Sequence, residues 1–538
     1  MGRFEGIRFA IVTIVVTAVV FAALLYRGVF PVANHEGDAL HVADIVLRMA
    51  RGEMPHLDFH TPIGFLAFLP IVPFTGWGLG TAVFAAGLLV TLLLLPAIWW
   101  NARSRLGEGL GLVLFFAVLL LTAGAIFGGF FPGLALSMHY NRWAWAVALV
   151  VLVNVLVPPA DGERMGRRDG LLVGLGMGAL ALLKMTYFVA LLPGVIVVLL
   201  MSGAFRTIVV ALLAGLAMAA LATLWAGEPG FLVAYAEDLL AVPRGGLRPY
   251  STMPLSQMLT SPYHIMGYLT VLAAVVAMAE RFRVEAIGLL LLLPGFILVS
   301  FQNWGNDPKW LVVIALVIAA LRRPAGLRPG LQGGHLPLVV LVAATVLVAP
   351  IFVNLGQSIV RVLRVDGSAF VAPLADPRHQ DLLFKADRVY RLEVRRYMPA
   401  PTMEMEEKAA GYRSQADQTL WGQPLPYCIV ENGYVGLVAG IAEDLRARGV
   451  AAPGARIFYG DSVSPLWLFG AGEPVPAGWP WYYGGDGGME NATHVVLPLC
   501  GASLTVRAAI LKELEERRDR WRELYRTEHY ILLARKDG

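Results

Sequence analysis

Residues 35–64 read HEGDALHVADIVLRMARGEMPHLDFHTPIG and crowd acids, histidines and arginines between two long apolar runs. The carboxylates are the first candidates for chemistry. A low-dielectric surface raises a carboxyl group towards the range useful for a base, whereas a helix N-terminus holds it ionised. Asp38, with Glu36 two residues before it, is placed for such a role. From Asp38 the polar residues fall at 38, 41, 44, 48 and 51, which puts them on one face of a helix. Leu40, Val42, Ala43, Val46, Leu47, Met49 and Ala50 cover most of the other face. An amphipathic helix lying in the membrane interface, capped by Asp38, explains that pattern without catalysis. It leaves the following GEMPHLDFHTPIG unexplained. There Asp58 is either a turn former after Pro55 or a binding residue. His35, His41, His56, His60 and His139 raise the question of a metal. Their spacing gives no helical histidine pair with an acid, so no cofactor is expected and a divalent ion is not indicated.

The elements around this stretch must be membrane helices. The chain has 538 residues, 57% of them hydrophobic and only 15% charged, with mean hydropathy +0.64. That much apolar surface exceeds what one water-soluble core can bury. Runs long enough to cross the hydrocarbon layer recur at 9–30, 79–100, 108–127, 140–157, 170–185, 187–202, 207–226, 263–280, 285–301, 309–321 and 336–354. The first run is too long for a cleaved leader. Segment 61–76, broken by Pro62, Pro70 and Pro73, reads as an interfacial helix. With the N-terminus inside, every inside connection carries arginine: Arg3 and Arg8, Arg103 and Arg105, Arg164, Arg167 and Arg168, Arg206, Arg281 and Arg283, then Arg322, Arg323 and Arg328. The expected fold is therefore a polytopic α-helical membrane protein of about 11 transmembrane helices over residues 1–356. Outer loop 31–61 and loop 227–262 fall on the outside. So does the tail 357–538, a soluble α/β domain with strands at YCIV, ARIFYG, THVVLPLC and HYILLAR and helices near 434–448 and 506–524. Cys428 and Cys500, both in the tail, are either a disulfide in an oxidising compartment or two buried thiols. Net charge +4 with scattered arginines gives no sign of a nucleic-acid surface.

The order Asp38, Gly52-Glu53-x-Pro55, Asp58-Phe59 and Pro62 resembles the first outer loop of the GT-C glycosyltransferases. These are multi-spanning enzymes that include the protein O-mannosyltransferases and the aminoarabinose transferases of lipid A. Their loop runs Asp-Glu, an amphipathic helix, a Gly-x-x-Pro turn, an aspartate, and prolines opening the next helix. LALLKMT at 180–186 resembles their Leu-x-x-x-Lys-x-Thr segment at an outer span end. The chain departs from the pattern at Ala39, where the second acid usually stands, and at Ile63, where many members have a lysine that meets lipid phosphate.

The resemblance implies transfer of a sugar from a polyprenyl-phosphate donor to an envelope lipid, glycan or protein acceptor at the outer face of a bacterial inner membrane. Asp38 would be the base, with Glu36 as a substitute acid, and the displacement would invert the anomeric centre. Positive charge near the departing phosphate would come from Arg142, Lys184, Lys309, Arg244 or Arg248. His41, His139 and Asp58 complete the substrate-binding set. Arg142 and Lys309 have a plainer reading as anchors beside Trp143 and Trp310, and Asp307 one as a cap of the next span. Lys184 interrupts an apolar run, which is costly unless it is paired or faces a cavity. No Walker loop, dinucleotide fingerprint or Asp-x-Asp motif occurs, so a lipid carrier is the natural donor and membrane lipids the other partners. The rivals are a transporter or flippase, with charges at mid-membrane, and a non-catalytic envelope assembly protein whose outer acids are replaceable.

Overall fold

The computed structural model describes residues 3–129, 131–162, 165–247, 254–302, 307–322, 330–331, 334–397 and 418–536. It is a helical membrane-embedded protein with small sheets in its C-terminal part. Its helices are α1 (Arg3–Arg27), α2 (Glu36–Ala50), α3 (Leu79–Asn101), α4 (Gly107–Ala123), α5 (His139–Leu156), α6 (Arg167–Leu183), α7 (Met185–Met201) and α8 (Phe205–Ala226). They continue with α9 (Phe231–Gly245), α10 (Leu255–Thr260), α11 (Pro262–Met278), α12 (Arg283–Gln302), α13 (Leu311–Leu321) and α14 (His335–Leu363). Among the described residues, five helical stretches are long and apolar enough to cross a membrane: Gly6–Arg27, Leu79–Ala123, Phe205–Ala226, Arg283–Gln302 and His335–Leu363. The second is 45 residues long and folds back on itself: α3 and α4 pack together about Gly107, whose φ of +72° suits glycine.

Small residues bring helices together where lipid gives no hydrophobic drive for association. On α6, Gly170, Gly174 and Gly178 recur every fourth position and face Thr207, Ala211 and Gly215 of α8. A Cβ on Gly174 would stand 2.3 Å from the Ala211 carbonyl oxygen. Gly194, Gly288 and Gly295 do the same for α7 and α12. Several arginines lie at one end. Arg8 pairs with Glu108 at 3.3 Å, Arg105 with Asp169 at 2.8 Å, and Thr207 donates to the Gly166 carbonyl. At the other end Arg27 donates to the carbonyl of Val365, just past α14.

The tail grows out of that second end. Strand β1 (Phe30–Val32), directly before α2, pairs in parallel with β3 (Leu382–Lys385), which pairs antiparallel with β2 (Phe370–Val371). Beyond the short α15 (Ala386–Tyr390) come β4 (Glu393–Arg396), hairpin β5 (Thr419–Leu420) and β6 (Gln423–Pro424), β7 (Cys428–Asn432), α16 (Tyr434–Ala447) and β8 (Ile457–Tyr459). The chain ends with β9 (His494–Pro498), α17 (Leu504–Glu516), β10 (Trp521–Arg526) and β11 (Tyr530–Arg535). The main sheet has the order β10-β11-β9-β8, and Cys428 and Cys500 form a disulfide that ties β7 to the loop after β9. One continuous apolar cluster runs from Trp145 and Trp310 in the bundle through Val42 and Val46 of α2 to Val463 and Leu532 in the tail.

Three expectations are corrected. The helix expected at 506–524 stops at Glu516, because WRELYR alternates buried and outward residues and closes a hairpin with β11 instead. Segment 61–76 is two short 3₁₀ turns, Phe65–Ala67 and Val72–Trp77, since Pro62, Pro70 and Pro73 remove backbone donors that a continuous helix would need. Loop 227–262 is not plain loop: it holds α9 and α10.

Candidate functional site

Helix α2 is buried nearly all round, not afloat in the interface. Its expected polar stripe exists, but it is turned to the tail. His41 lies edge-on to Trp481 with ring centroids 5.5 Å apart. Arg48 donates to Asp44 at 2.8 Å, to Glu53 at 3.0 Å and to the Val475 carbonyl at 3.1 Å. Arg51 pairs with Glu473 at 2.9 Å and stacks on Trp467. Pairing of β1 with β3 fixes the tail over the start of α2, so protein carbonyls and rings take the places expected for water and headgroups.

The N-cap of α2 is His35, held at φ +57°, and Asp38 sits within the first turn. This corrects Asp38 as the cap, yet leaves it where the helix dipole favours an ionised acid. His35 stacks on Phe127 at 3.8 Å and lies 3.9 Å from Asp38. Burial holds the His35 imidazole below its usual range against the raising pull of Asp38 and Glu36. Glu36 is clasped by Arg388 of α15 at 2.5 and 3.0 Å. Glu36, Asp44 and Glu53 are each held by an arginine; of the acids of α2 itself, Asp38 has 29% of its side chain accessible against 8% for Glu36 and 1% for Asp44.

The expected cations lie under the loop 124–138. Arg142 is buried and donates to the carbonyls of Ile126 and Ser137. Lys309, also buried, stands 3.7 Å from Asp307, whose carboxylate presses on Gly129. His139 is 2.8 Å from the Ala67 carbonyl, and Lys184 rests 5.2 Å over the ring of Tyr140. Asp58 accepts from the Met54 backbone at 2.6 Å, as a turn former does. Arg244 is exposed at the end of α9, and Arg248 lies outside the described residues. A chain of contacts therefore joins Asp38 to Arg142 through His35, Phe127 and Ile126, whereas Lys184 is placed against Tyr140, outside that chain. Two cavities among the described residues, of about 580 and 760 Å³, are lined by other residues: the first by Arg51, Trp467 and Arg378 beside α2, the second by α16 and the start of β11.

A second polar cluster lies beside this one, around Asp238 of α9. Its Oδ2 accepts from His56 Nδ1 at 2.8 Å and from the Thr61 amide at 3.0 Å, and its Oδ1 from His60 Nδ1 at 2.8 Å. An ionised carboxylate only accepts, so both imidazoles present Nδ1–H. The side chain of His56 is wholly buried, whereas 34% of His60 is accessible and its ring stacks on Trp479 of the tail at 5.2 Å. Burial pushes the Asp238 carboxyl up, but the hydrogen bonds from His56 and His60 more than reverse this and hold it below the usual range. The bond to Asp238 raises His60 above its usual range against its own burial, with Asp486 and Glu237 adding to the pull. The lone acid pair in the apolar stretch FLVAYAEDLLAV was the signal in the sequence; only the fold shows which histidines it meets.

No family model, curated protein or solved structure matches this chain.

Proposed function

We propose that this chain is a GT-C-like membrane glycosyltransferase. It would move a sugar from a polyprenyl-phosphate donor to an envelope lipid, glycan or protein acceptor at the outer face of a bacterial inner membrane. In this reading eleven helices cross, α1, α3 to α8 and α11 to α14, and the N-terminus is cytoplasmic. Arg8, Arg105 and Arg168 at the end opposite the tail support that orientation. The Cys428–Cys500 bond supports an oxidising compartment for the tail.

The observation that carries the proposal is the state of Asp38. It is the acid of α2 that keeps access to solvent, at a helix N-terminus and one loop away from two buried cations. Asp38 takes the acceptor proton while the acceptor oxygen or nitrogen bonds to C1 of the sugar. The C1–O bond to the carrier phosphate breaks, and its electron pair leaves with the phosphate. Arg142 and Lys309 stabilise that charge once the loop 124–138, which now caps them, moves aside for the donor.

Asp38→Asn in membranes given radiolabelled polyprenyl-phosphate sugars tests this. Transfer is expected to fall about 10²–10⁴-fold, the usual worth of a general base. Undiminished transfer by a normally folded variant removes Asp38 from the mechanism. One observation favours a second reading, a non-catalytic envelope assembly protein: most of the polar stripe of α2 is occupied in holding the tail. That reading expects no transfer by the unaltered chain with any lipid-linked sugar.

A further inference from the structure

A groove of about 620 Å³ opens between α3 and α6 at the arginine-rich end, floored by α5 and sharing no residue with α2 or the tail. Its walls are apolar, with Leu93 and Ala97 on one side and Leu171, Leu175 and Ala179 on the other; Arg168 is the one charged residue in its lining. We propose that this groove seats one acyl chain of an anionic phospholipid from the leaflet on the arginine-rich side, with the headgroup held at Arg168.

The mouth is a built plate. The Trp100 indole donates to Asp169 at 2.7 Å, which fixes its ring, and the Arg168 guanidinium lies 5.1 Å over that ring. Asp169 is already engaged by Arg105 at 2.8 Å, and among the described residues Arg168 pairs with no carboxylate. A fixed cation thus stands where an apolar channel begins, which matches a lipid phosphate joined to its tail. The length fits as well. From Arg168 to Ala179 the wall of α6 runs about 16 Å at ~1.5 Å per residue, close to half of a hydrocarbon layer about 30 Å thick. The channel therefore spans one leaflet. Gly176 keeps its floor closed, because a Cβ there would meet the Val151 side chain at 2.3 Å.

The test uses the purified full chain passed through nanodiscs holding equal phosphatidylglycerol and phosphatidylcholine, with retained lipid read by native mass spectrometry. The unaltered chain is expected to keep phosphatidylglycerol preferentially. Arg168→Gln should cut that preference about fivefold, the effect of one basic residue near a membrane surface, without changing phosphatidylcholine retention. Ala179→Phe, which fills the channel, should lower retention of both. Equal retention of the two lipids by the unaltered chain overturns the proposal, as does an unchanged preference in Arg168→Gln. Displacement of phosphatidylglycerol by equimolar polyprenyl phosphate overturns the choice of occupant. Should Ala179→Phe misfold, Arg168→Gln decides, since its side chain is exposed.

Discussion

Replacing Asp238 by alanine removes one carboxylate and strands two buried donors. The His56 ring has no access to water, and neither has the Thr61 amide, whereas His60 can turn to solvent. A buried donor left unpaired costs about 1–3 kcal/mol, so the two together cost roughly 2–6 kcal/mol. At about 1.4 kcal/mol per decade this is a rise of between roughly 30-fold and about 10⁴-fold in local opening. Hydrogen exchange read by mass spectrometry on the full chain in nanodiscs measures it in peptides covering 54–63 and 231–245. Unchanged exchange in both would refute the clasp as a determinant of local order. Asp238→Asn refines the test through pH. His60 is raised, so its contribution is fully present below the unfolded value of about 6.5 and is lost as pH rises through the folded value. Asp238 is depressed, so its contribution is present above about 3.9 and is lost as pH falls through the folded value. Protection should therefore peak at mildly acidic pH in the unaltered chain. The decline on the alkaline side should vanish in Asp238→Asn, and its persistence there would show that Asp486 and Glu237, not Asp238, set the behaviour of His60.

Three further outcomes are expected. Glu36→Ala should destabilise the docking of α15 by about 1 kcal/mol, because Arg388 is about a third exposed and can turn to water, while transfer per folded molecule stays level; a loss as deep as that of Asp38→Asn would move the base to Glu36. Gly174→Val should destabilise the α6–α8 pair by about 1–3 kcal/mol or more, because its side chain meets backbone, whereas Gly109→Ala, with open space around it, should be neutral or stabilising in thermal unfolding. Reduction of the disulfide or Cys428→Ser should destabilise the tail by about 2–4 kcal/mol, and an unfolding midpoint for the tail indifferent to both would contradict that.

Sequence alone determined the membrane helices, because hydrocarbon forces every spanning backbone to satisfy itself and so demands long apolar runs. It also determined the stripe 38, 41, 44, 48 and 51 on α2, since helical period is a local property. It marked a small mixed tail through alternating strands, and it missed the GxxxG-like rows of α6 and α8 although they are plain in the text. Tertiary structure decided what the stripe faces. Nothing local to α2 specifies that β3, more than 300 residues later, will pair with β1 and bring Val475, Trp481 and Arg388 onto it. The same holds for the partners of Asp238 and for the loop that covers Arg142 and Lys309. How deeply each acid is buried depends on contacts between distant segments, and those are fixed only when the chain packs.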